Sequence, residues 1–326
     1  MRNIWDKLTK PIIALAPMAG ITDSAFRQLC RQYGADVIYT EFISANALCH
    51  ASAKTLTKLK FDHKEQPLIC QLFGSDPKML SGAAKIVTQL GFSGVDINFG
   101  CPAYKVVNHG GGVSLMRQPK LCRDLIEAVI NSTKLPVSIK IRSSIGLLDD
   151  NGKKTNKSIS ALDLFKEIKD LPVSCIMIHA RSYEQPFDGQ PDTAMVKELR
   201  KIYSGVLLAN GGVYAPADTR QLLKETNADG IGIARGCRGA PWFFKQIKDY
   251  LTTGKYQVMS FSDIKKVAIA HAELIVKNKG EASLREMRKH LAWYVRGVPG
   301  AAKLRSRLVR INSLSEIQSI LDSASE

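Results

Sequence analysis

Residues 206–236 begin with Val206-Leu-Leu-Ala-Asn-Gly-Gly212 and end with Gly230-Ile-Gly-Ile-Ala-Arg-Gly236. Each is a short apolar run that stops on a glycine-bearing turn, and an amphipathic stretch, Pro216–Thr226, separates them. A β-run, a helix and a second β-run of these lengths make a parallel unit with a right-handed crossover. Glycines placed directly after a strand let backbone N–H groups approach an anion, and Arg235 adds charge-assisted hydrogen bonds. In a closed barrel, the loops after the seventh and eighth strands are the common phosphate site. A plain tight turn would also explain Gly211 and Gly212.

The same alternation extends upstream. Candidate strands are Ile12–Ala16, Val37–Thr40, Leu68–Phe73, Val95–Asn98, Val137–Arg142 and Cys175–His179, which with Val206–Asn210 and Gly230–Ala234 make eight. Helical patterns lie between them at Ser24–Tyr33, Pro77–Leu90, Lys120–Ser132, Ser160–Asp170 and Thr193–Ile202, and another follows at Trp242–Leu251. Eight such units predict an α/β fold, a (β/α)8 TIM barrel. An open doubly wound sheet would usually carry Gly-x-Gly-x-x-Gly after its first strand, where this chain has Ala16-Pro-Met-Ala-Gly20. After Gly254 the pattern is purely helical, at Ser262–Lys279, Ala282–Arg296 and Ala301–Ile311, with Ser313-Leu-Ser-Glu316 as the capping box of a fourth helix. The expected division is therefore a barrel over 1–250 and a small all-α helical domain over 251–326.

Charge and cysteines narrow the class. Lys and Arg number 46 against 30 Asp and Glu, a formal net charge of +16. That balance favours polyanionic partners, although a basic surface can also serve solubility. From Lys245 onward there are 15 Lys and Arg against 8 Asp and Glu, with Trp293 and Tyr294 among them. Such a module could track a phosphate backbone, or Trp293 could be core and the charges a solvated face. No signal-peptide pattern or apolar run near the roughly 18 residues of a membrane span is seen. Seven scattered cysteines without CxxC pairs argue against disulfides and zinc and for a reducing cytoplasm. The expectation is a cytoplasmic monomer with no membrane attachment and no metal.

Polar residues gather at strand ends. On Val137–Arg142, Lys140 and Arg142 share one parity with Ser138, opposite to Val137, Ile139 and Ile141. Inward polar groups near a barrel mouth are costly unless they meet a ligand or a countercharge. Gln71 and His179 stand at the ends of their own strands and complete a ring. Asp96-Ile-Asn-Phe-Gly-Cys-Pro102 follows the fourth strand. Its Asn98 offers donor and acceptor to an imide edge, and Cys101 opens a glycine-rich loop, Gly100–Arg117. An unperturbed thiol, with a pKa of about 8.5, is protonated near neutrality and can act as an acid. Ser143–Lys157 is read as a second long polar loop.

Ala16–Arg27 and Asp96–Pro102 together resemble the tRNA-dihydrouridine synthase family. The likeness continues through Val137–Arg142, His179-Ala-Arg-Ser182, Asn210-Gly-Gly212 and Ala234–Trp242, and Arg288–Tyr294 with Gly297-Val-Pro-Gly300 resembles its bacterial DusB-type branch. The resemblance implies an FMN-dependent oxidoreductase, driven by NADPH, that reduces the C5=C6 bond of D-loop uridines in tRNA, with a lean toward position 17. It implies hydride from flavin N5 to C6 and a proton from Cys101 to C5. Pro17, Met18, Ala19, Gln71, Lys140, His179, Asn210, Gly211, Gly212, Ala234 and Arg235 would contact FMN. Asn98, Arg142 and Arg181 would meet the substrate, and the helical domain would bind tRNA. Ala180, Val113 and Ala234 depart from the family pattern, where Gly, a small residue and Gly are commoner. Two rivals remain from the residues alone. One is an FMN barrel acting on a free pyrimidine, and the other is an RNA-binding protein without catalysis.

Overall fold

The computed structural model describes residues 3–108, 110–185 and 189–324. Eight parallel strands form its centre: β1 (Ile12–Leu15), β2 (Val37–Tyr39), β3 (Leu68–Phe73), β4 (Gly94–Asn98), β5 (Val137–Arg142), β6 (Cys175–His179), β7 (Val206–Asn210) and β8 (Gly230–Ile233). Each pairs with the next, and β8 returns to β1 with Ile12 opposite Gly230 and Leu15 opposite Ile233. The sheet is thus a closed barrel without a free edge. The eight expected strands are all present, with ends displaced by at most one residue. A two-residue run, Ile43–Ser44, adds to β3 at Leu72 and Phe73.

A helix follows every strand: α1 (Ser24–Gln32), α2 (Ala45–Cys49), α3 (Pro77–Gln89), α4 (Pro119–Ile130), α5 (Ala161–Ile168), α6 (Thr193–Ile202), α7 (Pro216–Thr226) and α8 (Phe243–Thr253). Asp23, Asp76 and Ser160 accept hydrogen bonds from first-turn N–H groups of α1, α3 and α5, which fixes where these helices begin. Then come α9 (Phe261–Lys279), α10 (Leu284–Tyr294), α11 (Ala301–Leu308) and α12 (Leu314–Asp322).

One expectation is corrected. Most of the stretch read as a loop over Ser143–Lys157 is an antiparallel hairpin, Ser144–Leu148 with Lys154–Ser160. Asp149 Oδ1 accepts from the N–H groups of Asn151 and Lys153, and Gly152 takes φ +74° at the turn. The second arm is largely exposed, so it lacks the apolar alternation that marks a strand in sequence. The short helices Ala45–Cys49, Ala53–Lys58 and Tyr104–Val107 were also not anticipated, being too brief to show a period.

Strand parity sorts the core. Odd positions of β1, such as Ile13 and Leu15, join Ile38, Leu72, Ile97, Ile139 and Ile178 in the layer between strands and helices. Inside the barrel, Ile12, Ala14, Tyr39, Ile69, Met177 and Leu208 form a second apolar cluster that includes Trp5 of the short turn Ile4–Lys7. Further along the strands the same inward parity becomes polar: Gln71, Asp96, Asn98, Ser138, Arg142 and Asn210 are all buried. Apolar filling therefore ends part-way up, and the carboxyl ends of the strands open into a polar mouth. A third cluster holds the C-terminal helices together through Ala268, Ile275, Met287, Leu291, Leu308 and Ile317, and it includes Ala25, Leu29 and Trp242 of the barrel. Lys279 ties α9 to Asp23 at 2.7 Å. Among the described residues no helix is long and apolar enough to cross a membrane.

Candidate functional site

The mouth contains a cavity of about 500 Å³. That volume lies within the range of small-molecule and cofactor sites. All fifteen residues singled out from the sequence line it: Pro17, Met18, Ala19, Gln71, Asn98, Cys101, Lys140, Arg142, His179, Arg181, Asn210, Gly211, Gly212, Ala234 and Arg235. They come from β1 and β3 through β8, which the closed sheet brings to one rim.

A hydrogen-bonded chain crosses the floor. Ser138 Oγ and Gln71 Nε2 donate to the two oxygens of Asp96 at 2.6 and 2.7 Å. Asn98 Nδ2 donates to Gln71 Oε1 at 2.8 Å, and Asn98 Oδ1 accepts from the N–H groups of Gly100 and Cys101 at 3.0 and 2.8 Å. Asn98 thus anchors the start of the cysteine loop and keeps one N–H for a ligand. The sequence pattern alone assigns Asp96 no role, although it opens the same motif as Asn98 and Cys101. Its inward parity beside Lys140 was the signal that could have found it. Burial raises its carboxyl to about 6, against the hydrogen bonds from Ser138 and Gln71 and the pull of Lys140.

Opposite Asp96, Lys140 Nζ donates to Asn210 Oδ1 at 3.3 Å, and Asn210 Nδ2 donates to Gly232 O at 2.6 Å. Burial, helped by Arg142, lowers Lys140 to about 8. His179 is held at about 2 by burial and by Lys140, Arg142, Arg181 and Arg235, so its imidazole is neutral. This rim is strongly cationic and suits an anionic group.

The glycines after β7 and β8 are needed by conformation and by space. Gly211 and Gly212 take φ +112° and +78°. A Cβ on Gly212 would meet Pro191 Cγ at 2.6 Å, and one on Gly236 would meet Val213 O at 2.3 Å. Real Cβ atoms do not approach that closely, so neither position admits a side chain, and Gly211, Gly212 and Gly236 contribute bare backbone to the cavity lining. Arg235 and the exposed Tyr214 stand at the same end, with the guanidinium 5.7 Å from the ring centroid.

Cys101 is half-buried on the other side. Burial raises its thiol pKa, partly opposed by the Ala103 backbone, Lys140 and Arg142. The thiol is therefore protonated at neutral pH. Its loop folds back on itself, with Val113 N–H donating to Cys101 O at 3.1 Å. Gly112 takes φ +60°, and a Cβ there would meet Cys101 O at 2.6 Å. Val113, one of the three family departures, is wholly buried and fills core. Ala180 is also wholly buried, and Ala234 lies at negative φ, so neither methyl meets a left-handed backbone. Arg142 braces the loop by donating to Gly100 O at 3.0 Å and Ser182 O at 2.6 Å. Arg181 donates to Gly189 O through Nε and Nη2.

Beside the cavity, a cleft of about 730 Å³ separates the rim from α9 and α10. Lys54, Lys58, Lys60, Lys279 and Lys289 line it, together with the carboxylates of Asp23, Glu41, Asp62 and Glu286.

Residues 14–326 match the family model described as dihydrouridine synthase (Dus). The tRNA-dihydrouridine synthase B of Pseudomonas aeruginosa is 31% identical over 301 residues, covering 92% of this chain and 88% of that protein. A probable tRNA-dihydrouridine synthase of Rickettsia bellii is 33% identical, covering 92% and 90%. Among solved structures, 2-naphthoyl-CoA reductase superposes with a TM-score of 0.58 at 11% identity, over 78% of this chain and 51% of that one. Morphinone reductase bound to tetrahydroNAD gives 0.51 at 12%, over 80% and 92%. At such identities the likeness concerns the barrel fold alone.

Proposed function

Because the chain belongs to the dihydrouridine synthase family, we propose that it is a tRNA-dihydrouridine synthase reducing the C5=C6 bond of D-loop uridines with FMN and NADPH. The observation that carries this reading is one cavity holding three chemically distinct stations: a protonated thiol, a cationic rim and a glycine cradle with an arginine. A flavin mononucleotide fits those stations. Its phosphate would lie against Gly211, Gly212, Ala234 and Arg235, which line the cavity together. Its ring would lie over Pro17, Met18, Ala19 and Gln71, with Lys140 and His179 along one edge. When bound and reduced by NADPH, the flavin supplies the hydride that adds at C6 of the base.

The residues of this chain do the rest. Lys140 favours negative charge at the edge it faces, and a neutral His179 adds no further cation there. Asn98 presents its remaining N–H to the uracil, with Arg142 and Arg181 nearby. Cys101 keeps its proton because burial disfavours the thiolate, and it gives that proton to C5. A uridine reaches this depth only if turned out of its stack, so the enzyme takes a flipped base. The division of labour assigns catalysis to 1–250 and RNA backbone contacts to the basic helices of 251–326, acting as a cytoplasmic monomer.

Cys101→Ala tests the assignment. The variant should bind flavin and be reduced by NADPH as the native chain is, while dihydrouridine formation falls by about 10²–10⁴-fold, the usual contribution of a general acid. Mass spectrometry of the tRNA product reads the loss. Undiminished product overturns the role of Cys101, and a colourless native protein overturns the flavin reading.

A further inference from the structure

We propose that Arg238 and Arg296, with Arg238 laid on the ring of Trp293, form a docking point for one phosphodiester of the RNA substrate. The proposal rests on the function given above and deepens it.

Arg238 follows the Arg235–Cys237 turn after β8, and its guanidinium carbon lies 4.9 Å from the Trp293 ring centroid. Gly239 takes φ +68°, and a Cβ there would meet the Trp293 backbone carbon at 2.6 Å, so the β8–α8 loop and the end of α10 are in direct contact. His290 meets Trp293 edge-on at 5.2 Å between centroids, a second contact that holds the ring. Arg238 Nε is sealed from solvent and has no hydrogen-bond partner, although the residue as a whole keeps part of its surface in water. Among the described residues, no ion pair within 4.0 Å involves Arg238 or the exposed Arg296. Burial, then Arg235 and then Arg296, lower the pKa of Arg238, so the cations are close enough to feel one another.

Arg238 and Arg296, two like charges with no carboxylate within ion-pair distance among the described residues, carry a cost that an incoming anion relieves. A guanidinium already oriented on an aromatic face loses little freedom on meeting a phosphate. The source of the phosphate follows from position. Arg238 adjoins the cavity pole formed by Arg235 and Tyr214, whereas Trp293 and Arg296 belong to the C-terminal helical region. A strand whose flipped base fills the cavity must leave it across the rim, and this seam leads onto the basic helices. A dinucleotide reductant has no need of that distance.

The test uses the full-length, flavin-loaded chain and an unmodified tRNA transcript, with affinity measured between about 50 and 200 mM KCl. Arg238→Gln should weaken binding roughly tenfold at low salt, as expected for a charge-assisted contact. It should also reduce the slope of log Kd against log salt by about 0.7 to 0.9, the range for one phosphate in single-stranded to duplex nucleic acid. KM for NADPH in flavin reduction should stay unchanged. An unaltered slope and affinity overturns the site, as does a raised KM for NADPH with tRNA binding intact. If Arg238→Gln unfolds, Arg296→Gln makes the same comparison without disturbing the stack. Absence of dihydrouridine with the native chain would count against the parent function alone, because the slope is read on binding and not on turnover.

Discussion

Acid should destabilise this protein through three imidazoles, two of them fully buried. His179 sits on the cavity rim, while His271 and His290 lie 4.7 Å apart between α1 and the C-terminal helices. His271 Nδ1 pairs with Tyr294 OH at 3.1 Å, and the other ring nitrogen of His271 and Nδ1 of His290 are buried without partners. Burial, chiefly, lowers His271 to about 4, His179 to about 2 and His290 well below the ordinary value. All three are neutral in the folded chain at pH 5 to 7, whereas unfolded histidine titrates near about 6.5. The unfolded chain therefore binds the protons. Stability is complete above about pH 6.5 and falls as the pH descends toward the folded values. Between pH 7 and 5, protonation favours each unfolded imidazole by about 2 kcal/mol, so three give about 5 to 6 kcal/mol. Asp96 works the other way. Its carboxyl, raised to about 6, takes up a proton in the folded chain. That offsets about 1 kcal/mol, and the net loss is about 4 to 5 kcal/mol. Urea unfolding followed by circular dichroism at the two pH values measures it. His290→Asn removes one titrating group and should shrink the difference by up to about 2 kcal/mol. A native loss below about 1 kcal/mol, or an unchanged dependence in His290→Asn, would refute the claim that these rings stay neutral.

Two further perturbations test the cavity and its support. Lys140, lowered to about 8, should regain its proton when an anionic flavin binds, so FMN affinity should fall up to tenfold per unit above about pH 8. Quenching of flavin fluorescence by the apoprotein reads this, and Lys140→Met should flatten the profile. A flat native profile would separate Lys140 from the cofactor. Arg27 and Glu65 pair at 2.6 Å with both side chains buried, and this pair fixes α1 to the segment leading into β3. Arg27→Met should cost about 3–5 kcal/mol by stranding a buried carboxylate. Adding Glu65→Leu should restore most of that loss in the same urea titration, and no recovery would assign the effect to packing.

The barrel was legible because its strands are almost wholly buried, so most appear as short runs rich in apolar residues and ended by glycine or a polar turn. Parity made half the site legible too. Lys140 and Arg142 could be placed inside because they alternate with Ile139 and Ile141. Asp96 obeys the same rule and went unassigned because a carboxylate in a flavin-type mouth has no evident ligand. Its partners, Gln71, Ser138 and Lys140, lie on two other strands, and their meeting depends on register rather than on local pattern. The hairpin after β5 escaped for a related reason. A β-ribbon with one exposed arm has nothing apolar to alternate, and its turn is set by Asp149 accepting from backbone N–H groups.

The boundary near residue 250 is the point at which sequence pattern and packing differ most. The change from mixed to purely helical periodicity suggests two independent bodies, yet the C-terminal helices share one core with Ala25 and Leu29 of α1 and with Trp242. Lys279 meets Asp23 across the joint, and Phe26 packs its ring 5.7 and 5.4 Å from His271 and His290. A chain cut after Gly254 would expose the outer face of the helix that follows β1, whose loop carries Pro17 and Met18 into the cavity. Loss of tRNA binding by such a fragment would therefore confound damage to the mouth with loss of a basic surface. Single charge removals at Arg238 and Arg296 avoid that confusion, since they leave the shared core intact and alter only what the seam offers to a phosphate.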